Sequence, residues 1–140
     1  MFGISVSRGP KPKLIPCDFG PLPVQGINAA LALELDPGEV VMSVRAQQHV
    51  QRKRPQEFAR CFPHVASVIL TPLYVRDDFN NDGKIEMVGR PAGLAEWLLV
   101  AVEVSIDSAG KYNITSFYPL SETKVEKRRE AGHYRRVLLI

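Results

Sequence analysis

A long apolar stretch in the second half of the chain dominates its hydrophobic pattern. Residues 98–106 place valine, leucine and isoleucine at every second position, and Trp97 and Leu99 make the opposite face apolar as well. A strand that is apolar on both faces is usually a central one. Residues 107–110 supply a turn, and the return strand, 111–118, mixes hydroxyl and amide side chains with apolar ones. The pattern therefore predicts a central β-hairpin in which one strand is partly polar.

Shorter patterns around this hairpin predict helices first and strands afterwards. Ser43 and Ser121 are suitable N-cap residues, and Pro55 can begin a new helix because proline is tolerated in the first turn. The predicted helices cover residues 26–35, 44–53, 55–62, 64–70 and 122–131, and the predicted short strands cover residues 39–43, 73–75, 84–88 and 134–140. This order of elements is typical of the α+β class.

The first 26 residues differ in composition from the rest of the chain. They contain five of the eleven prolines, and proline at this density blocks helix interiors and sheet ladders. We predict an extended proline-rich arm over residues 1–26, with room for a short strand at 4–7. Residues 27–140 then form a single domain, which suits a chain of 140 residues.

The net charge of +3 is modest, but the basic residues are clustered. One cluster covers residues 52–54, and the other lies within residues 124–136. Two basic clusters beside an apolar hairpin indicate a polyanionic partner, although the solvated faces of two helices explain them equally well. No apolar run approaches the roughly 20 residues that span a bilayer, and the first residues lack the pattern of a signal peptide. We therefore expect a cytoplasmic protein without a membrane partner, and delivery by a phage or a secretion system stays open.

Motifs for metal binding are weak. Cys17 and Cys61 match no metal-ligand spacing, and we expect free thiols. Residues 78–85 imitate the start of a calcium loop, but the twelfth position is Gly89 where a glutamate is required, so a hairpin turn is the preferred interpretation. Ser121 and Lys124 form a Ser-x-x-Lys pair, for which a helix N-cap is the simpler explanation.

His49 is the most informative candidate for chemistry. It lies on a predicted helix that also carries Arg52, Lys53 and Arg54. An imidazole can exchange a proton with a hydroxyl or a leaving oxygen near neutral pH, and neighbouring cations can hold a phosphate and stabilise its developing charge. These are the groups that a metal-independent ribonuclease needs. A surface histidine on a basic helix is the simpler alternative.

Three hydroxyl side chains lie on the return strand of the hairpin. Strict alternation puts Ser116 and Tyr118 on one face of the sheet and Thr115 on the other, unless a β-bulge intervenes. A buried hydroxyl on a strand is often only a satisfied polar group. Close to His49, however, it could orient or protonate a phosphate.

The order of these segments resembles the phage-type branch of the barnase–EndoU–colicin–RelE nuclease superfamily. The resemblance covers roughly residues 39–136, and it lies in a helical histidine segment, a proline-containing run, two strands and a closing basic helix. In this chain these segments read AQQHVQRKRPQEF, FPHVASVILTPLYV, WLLVAVEVS, YNITSFYPLS and ETKVEKRREAG.

The resemblance implies N-terminal helices packed on a four- to five-stranded, mostly antiparallel sheet. It also implies an endoribonuclease without metal or other cofactor, which leaves 2′,3′-cyclic phosphate ends. Such proteins are typically toxins or effectors that act on RNA, including tRNA, and are held in check by an antitoxin or immunity protein. The catalytic residues implied by the resemblance are His49, Lys53, Thr115 and Tyr118. The substrate-binding residues that it implies are Arg52, Arg54, Ser116 and Arg128.

One position departs from the pattern of the superfamily. Pro55 directly follows the basic run, where many relatives carry a second histidine. Two further hypotheses therefore stay open. In the first, the chain is a module that binds nucleic acid or protein without catalysis. In the second, it is a structural component of a phage or secretion system.

Overall fold

The computed structural model describes residues 13–78 and 83–139. Its helices are α1 (Val24–Leu31), α2 (Val44–Lys53), α3 (Pro55–Cys61), a 3-10 turn (Phe62–His64), α4 (Val65–Leu70) and α5 (Glu122–Glu130). Its strands are β1 (Cys17–Pro21), β2 (Glu39–Met42), β3 (Tyr74–Asp77), β4 (Lys84–Gly89), β5 (Trp97–Glu103), β6 (Tyr112–Leu120) and β7 (Arg135–Arg136). Most of the predicted elements are confirmed to within a few residues.

The strands form one mixed sheet in the order β1-β2-β6-β5-β4-β3-β7. Strands β2 and β6 pair in parallel, and the other neighbours pair antiparallel. The α+β class is confirmed, but the prediction of four to five mostly antiparallel strands is wrong. Strand β1, which forms within the predicted proline-rich arm, is an edge strand that was not predicted, and the terminal strand predicted at 134–140 is shortened to the two residues of β7.

Each face of the sheet has its own apolar cluster. Helices α1 to α4 cover one face, where Phe58 and Phe117 pack with their ring centroids 5.7 Å apart. On the opposite face α5 buries Val125 against Trp97 and Leu99. The central strand β5 is therefore covered on both sides, as its apolar sequence predicts.

Serine caps fix the start of the two helices that matter for the site. The backbone N–H of Ala46 donates to Ser43 Oγ at 3.1 Å, and that of Lys124 donates to Ser121 Oγ at 3.2 Å. Both serines have extended backbones and so begin α2 and α5 as predicted. The Ser-x-x-Lys pair is thus a helix cap.

Some predictions lie outside the described residues. They include the short strand at 4–7, residues 1–12 of the proline-rich arm and the centre of the calcium-like loop at 79–82. Within the described ranges, Cys17 and Cys61 are both free thiols, as expected. No helix in these ranges is long and apolar enough to cross a membrane.

Candidate functional site

A β-bulge in β6 determines where the hydroxyl side chains point. Ser116 pairs with Ala101 and Ile114 pairs with Val102, so that Thr115 is the extra residue between the two pairs. In a bulge of this kind the two residues opposite a single partner leave the strand on the same side. Thr115 and Ser116 therefore share the face of the sheet that carries α5, whereas strict alternation would have separated them.

One depression, which we call the histidine groove, is lined by residues of α2 and β6 and has a volume of about 490 Å³. Helix α2 contributes Arg45, His49 and Arg52, which follow one stripe because they are spaced i, i+4 and i+7. The strands contribute Glu103 and Thr115, together with Asn113 and Ile114. An exposed imidazole, a carboxylate, a hydroxyl and two guanidinium groups thus line one groove.

A second depression, the tyrosine groove, adjoins the first at Thr115 and has a volume of about 300 Å³. Both remaining predicted hydroxyls line it, and so does one of the predicted arginines. Its lining residues are Arg76, Asp78, Lys84, Glu86, Ala101, Thr115, Ser116, Tyr118 and Arg128. The two grooves are therefore neighbours, with Thr115 as their shared lining residue.

Charged groups surround the Tyr118 side chain. The Arg54 guanidinium carbon lies 4.7 Å from the centroid of the Tyr118 ring, which is a cation–π distance. Burial and the charge of Glu86 raise the pKa of Tyr118, although Arg128, Arg76 and Arg54 act in the opposite direction. The hydroxyl therefore stays protonated at neutral pH and can donate a hydrogen bond to an anion.

Beneath the tyrosine groove lies an ion pair between Arg76 and Glu86. Glu86 is only 6% exposed, so its charge needs this partner. Arg128 donates to the Tyr134 hydroxyl at 3.4 Å. Burial alone would lower the pKa of Arg128, but Tyr134 and Glu86 outweigh that effect and raise it. Arg128 is thus a fixed cation beside the groove.

Lys53, predicted as a catalytic residue, is apart from this arrangement. Its side chain is exposed at the end of α2 and lines neither groove. The stripe of α2 that faces the histidine groove runs through Arg45, His49 and Arg52. Lys53 directly follows Arg52 and so points about 100° away from it around the helix axis.

Among the residues that the sequence reasoning missed are two charged side chains and an amide of the histidine groove. Arg45 could have been found, because it lies one helical turn before His49 on the same face. Glu103 and Asn113 could not, since their position depends on the pairing of β5 with β6 and of β6 with β2. Such long-range register is not visible in a local pattern.

The described residues bring no three histidine, cysteine, aspartate or glutamate side chains together in a way that could hold a metal ion. Comparisons of the chain with models of protein families, with curated proteins and with solved structures find no match.

Proposed function

We propose that this protein is an endoribonuclease that cleaves single RNA strands without a metal ion. The observation that carries the proposal is the histidine groove, in which His49, Glu103 and Thr115 share one cavity with two arginines. The resemblance of the sequence to a nuclease superfamily supports the same function. Two groups that can transfer protons and several cations are the requirements of this chemistry.

In the proposed reaction the 2′-hydroxyl of a ribose attacks the adjacent phosphate. The Glu103 carboxylate accepts the proton of that hydroxyl while the new 2′-O–P bond forms. The P–O5′ bond breaks, and the protonated His49 imidazole donates a proton to the leaving O5′. The products are a 2′,3′-cyclic phosphate and a 5′-hydroxyl, and proton exchange with water restores both side chains. Glu103 thus supplies the second proton-transfer group that the proline at position 55 removes from the family pattern.

The remaining groove residues act on charge and position. Arg45 and Arg52 neutralise the phosphate, whose negative charge grows as the fifth oxygen approaches phosphorus. Thr115 lies at the boundary between the two grooves, where its hydroxyl exchanges a long, 3.5 Å hydrogen bond to the carbonyl oxygen of Ala101 for one to the substrate. Tyr118, held under Arg54, and the neighbouring Ser116 donate to the next phosphate or ribose along the strand.

The test is cleavage of total RNA and of a defined single strand in the presence of EDTA. His49→Ala and Glu103→Gln should each lower kcat/KM by about 10²- to 10⁴-fold, which is the usual contribution of a general acid or base. Gln48→Ala is the matched control, because Gln48 is exposed on the same helix and is not a lining residue of either groove. The thermal midpoint should change little in all three variants.

Two results would count against the proposal. Full cleavage by both His49→Ala and Glu103→Gln would remove the assigned chemistry. Salt-sensitive RNA binding by the wild-type protein without any fragments would instead favour a module that binds RNA without cutting it.

A further inference from the structure

A third depression, the apolar groove, continues the surface at the other end of the histidine groove. Its volume is about 350 Å³, and it shares Ser43 and Asn113 with the histidine groove. Most of its surface is apolar, in contrast to the two cationic grooves. The apolar contributors are Pro16, Val41, Met42 and Ala109.

Two of the polar side chains around this groove, Asp107 and Asn113, are hydrogen-bonded to each other. Asp107 Oδ1 accepts hydrogen bonds from the backbone N–H groups of Ala109 and Lys111, both at 2.9 Å. Its Oδ2 accepts from the Asn113 side-chain amide at 2.8 Å. These hydrogen bonds of Asp107 stabilise the turn at 107–111, which therefore presents mainly apolar surface to a ligand.

One wall of the groove is held by a buried amide. Gln47, which is 1% exposed, donates through Nε2 to the carbonyl oxygens of Ile15 at 2.7 Å and Met42 at 3.0 Å. These bonds tie the segment before β1 to the end of β2, next to Pro16. The groove is thus preformed, with a volume in the range of small-ligand pockets.

We infer that the apolar groove holds an unpaired base of the RNA strand whose phosphate lies in the histidine groove. This inference deepens the proposed function and rests on it. The three grooves form one track in the order apolar, histidine and tyrosine, joined through shared lining residues. A flat aromatic base suits an apolar site, and its attached phosphate then reaches the cations beside His49. A duplex would not fit this arrangement, since its bases are stacked and paired. The substrate class is therefore single-stranded RNA that spans three nucleotides.

The experiment measures binding of 2′-O-methyl trinucleotides, which lack the attacking hydroxyl and cannot be cleaved. An abasic residue replaces each of the three nucleotides in turn, and fluorescence anisotropy gives the Kd with the wild-type protein and with Ala109→Phe, which fills the groove. Ser108→Phe is the matched control, because Ser108 is exposed in the same turn and is not a lining residue of the groove. The thermal midpoints of both variants verify that they fold.

For the wild type and Ser108→Phe, the abasic residue at one end of the trinucleotide should weaken binding about fivefold or more, which is the usual effect of losing one base contact. Ala109→Phe should bind the intact trinucleotide about as weakly as the wild type binds the abasic one, and removal of the terminal base should then cost it nothing further. The substitution Ala109→Phe and the removal of the terminal base could instead weaken binding independently, so that their effects on the free energy of binding add. If they do so while the wild type binds and cleaves RNA, the inference fails and the proposed function stands. If no trinucleotide binds to the wild type and no RNA is cleaved, the proposed function and the inference fail together.

Discussion

Replacing Arg52 with alanine tests the electrostatic part of the proposed function, and the size of its effect follows from the grooves. Five cationic side chains line the histidine and tyrosine grooves, and one of them, Arg76, forms an ion pair with Glu86. The other four are Arg45, Arg52, Lys84 and Arg128. None of these four has a carboxylate within ion-pair distance among the described residues. Each is therefore free to make one contact with a phosphate, and Arg45 and Arg52 contact the same one.

Four contacts between cations and phosphates set the salt dependence of binding. For single strands each contributes about −0.7 to the slope of log Kobs against log salt concentration, so the expected slope is about −2.8. Between about 50 and 200 mM salt, affinity should then fall about 50-fold. Arg52→Ala removes one contact, which reduces the slope to about −2.1 and the loss over the same range to about 18-fold.

The assay is anisotropy titration of a 2′-O-methyl oligonucleotide at four or more salt concentrations. Lys127→Ala is the control for net charge, because Lys127 is exposed on α5 and is not a lining residue of either groove. We expect its slope to equal that of the wild type. Equal slopes for Arg52→Ala and Lys127→Ala would refute the reasoning, because the effect of Arg52 would then be one of net charge alone.

Two further predictions concern the fold. Gly26→Ala should lower the thermal midpoint, because a Cβ at this position would lie 2.7 Å from the carbonyl oxygen of Leu138. The overpacking cost of about 1–3 kcal/mol exceeds the gain in helix propensity of about 1 kcal/mol. An unchanged or higher midpoint would contradict this. In a thiol-reagent assay at pH 8, Cys17 should react first and Cys61 only after unfolding, since Cys61 is buried and burial raises the pKa of its thiol. Equal rates for the two thiols in the native protein would contradict the burial of Cys61.

Local patterns predicted the elements that carry strong local signals. The alternation of 97–103 gave the central strand, and Ser43 gave the start of α2. The edge strand β1 was missed for a physical reason. It runs from Cys17 to Pro21, and its pairing with β2 depends on contacts far away in sequence. The terminal strand predicted at 134–140 is confirmed only at Arg135–Arg136, the two residues whose pairing with β3 the structure describes.

The candidate site was predictable on its helix and less so on its sheet. His49 and Arg52 belong to one amphipathic helix, so their common face follows from helical spacing. The common face of Thr115 and Ser116 follows only from the bulge, and no residue type in the return strand marks it. The proximity of Glu103 to Thr115 depends on the same register, because the bulge determines which residues of β6 lie opposite the end of β5.

The position of the grooves follows from the short length of β2. Strand β2 has four residues, and among the described residues it pairs with β6 only through Val40 with Tyr112 and Val41 with Asn113. The chain then turns at Ser43 into α2, which lies against the part of β6 that follows. A strand in this place would have offered backbone groups to the edge of β6, whereas the helix offers the side chains of Arg45 and His49. The bulge turns Thr115 toward the same space. A short parallel pair followed directly by a basic helix therefore explains why an imidazole, cations and hydroxyls meet at the middle of the sheet.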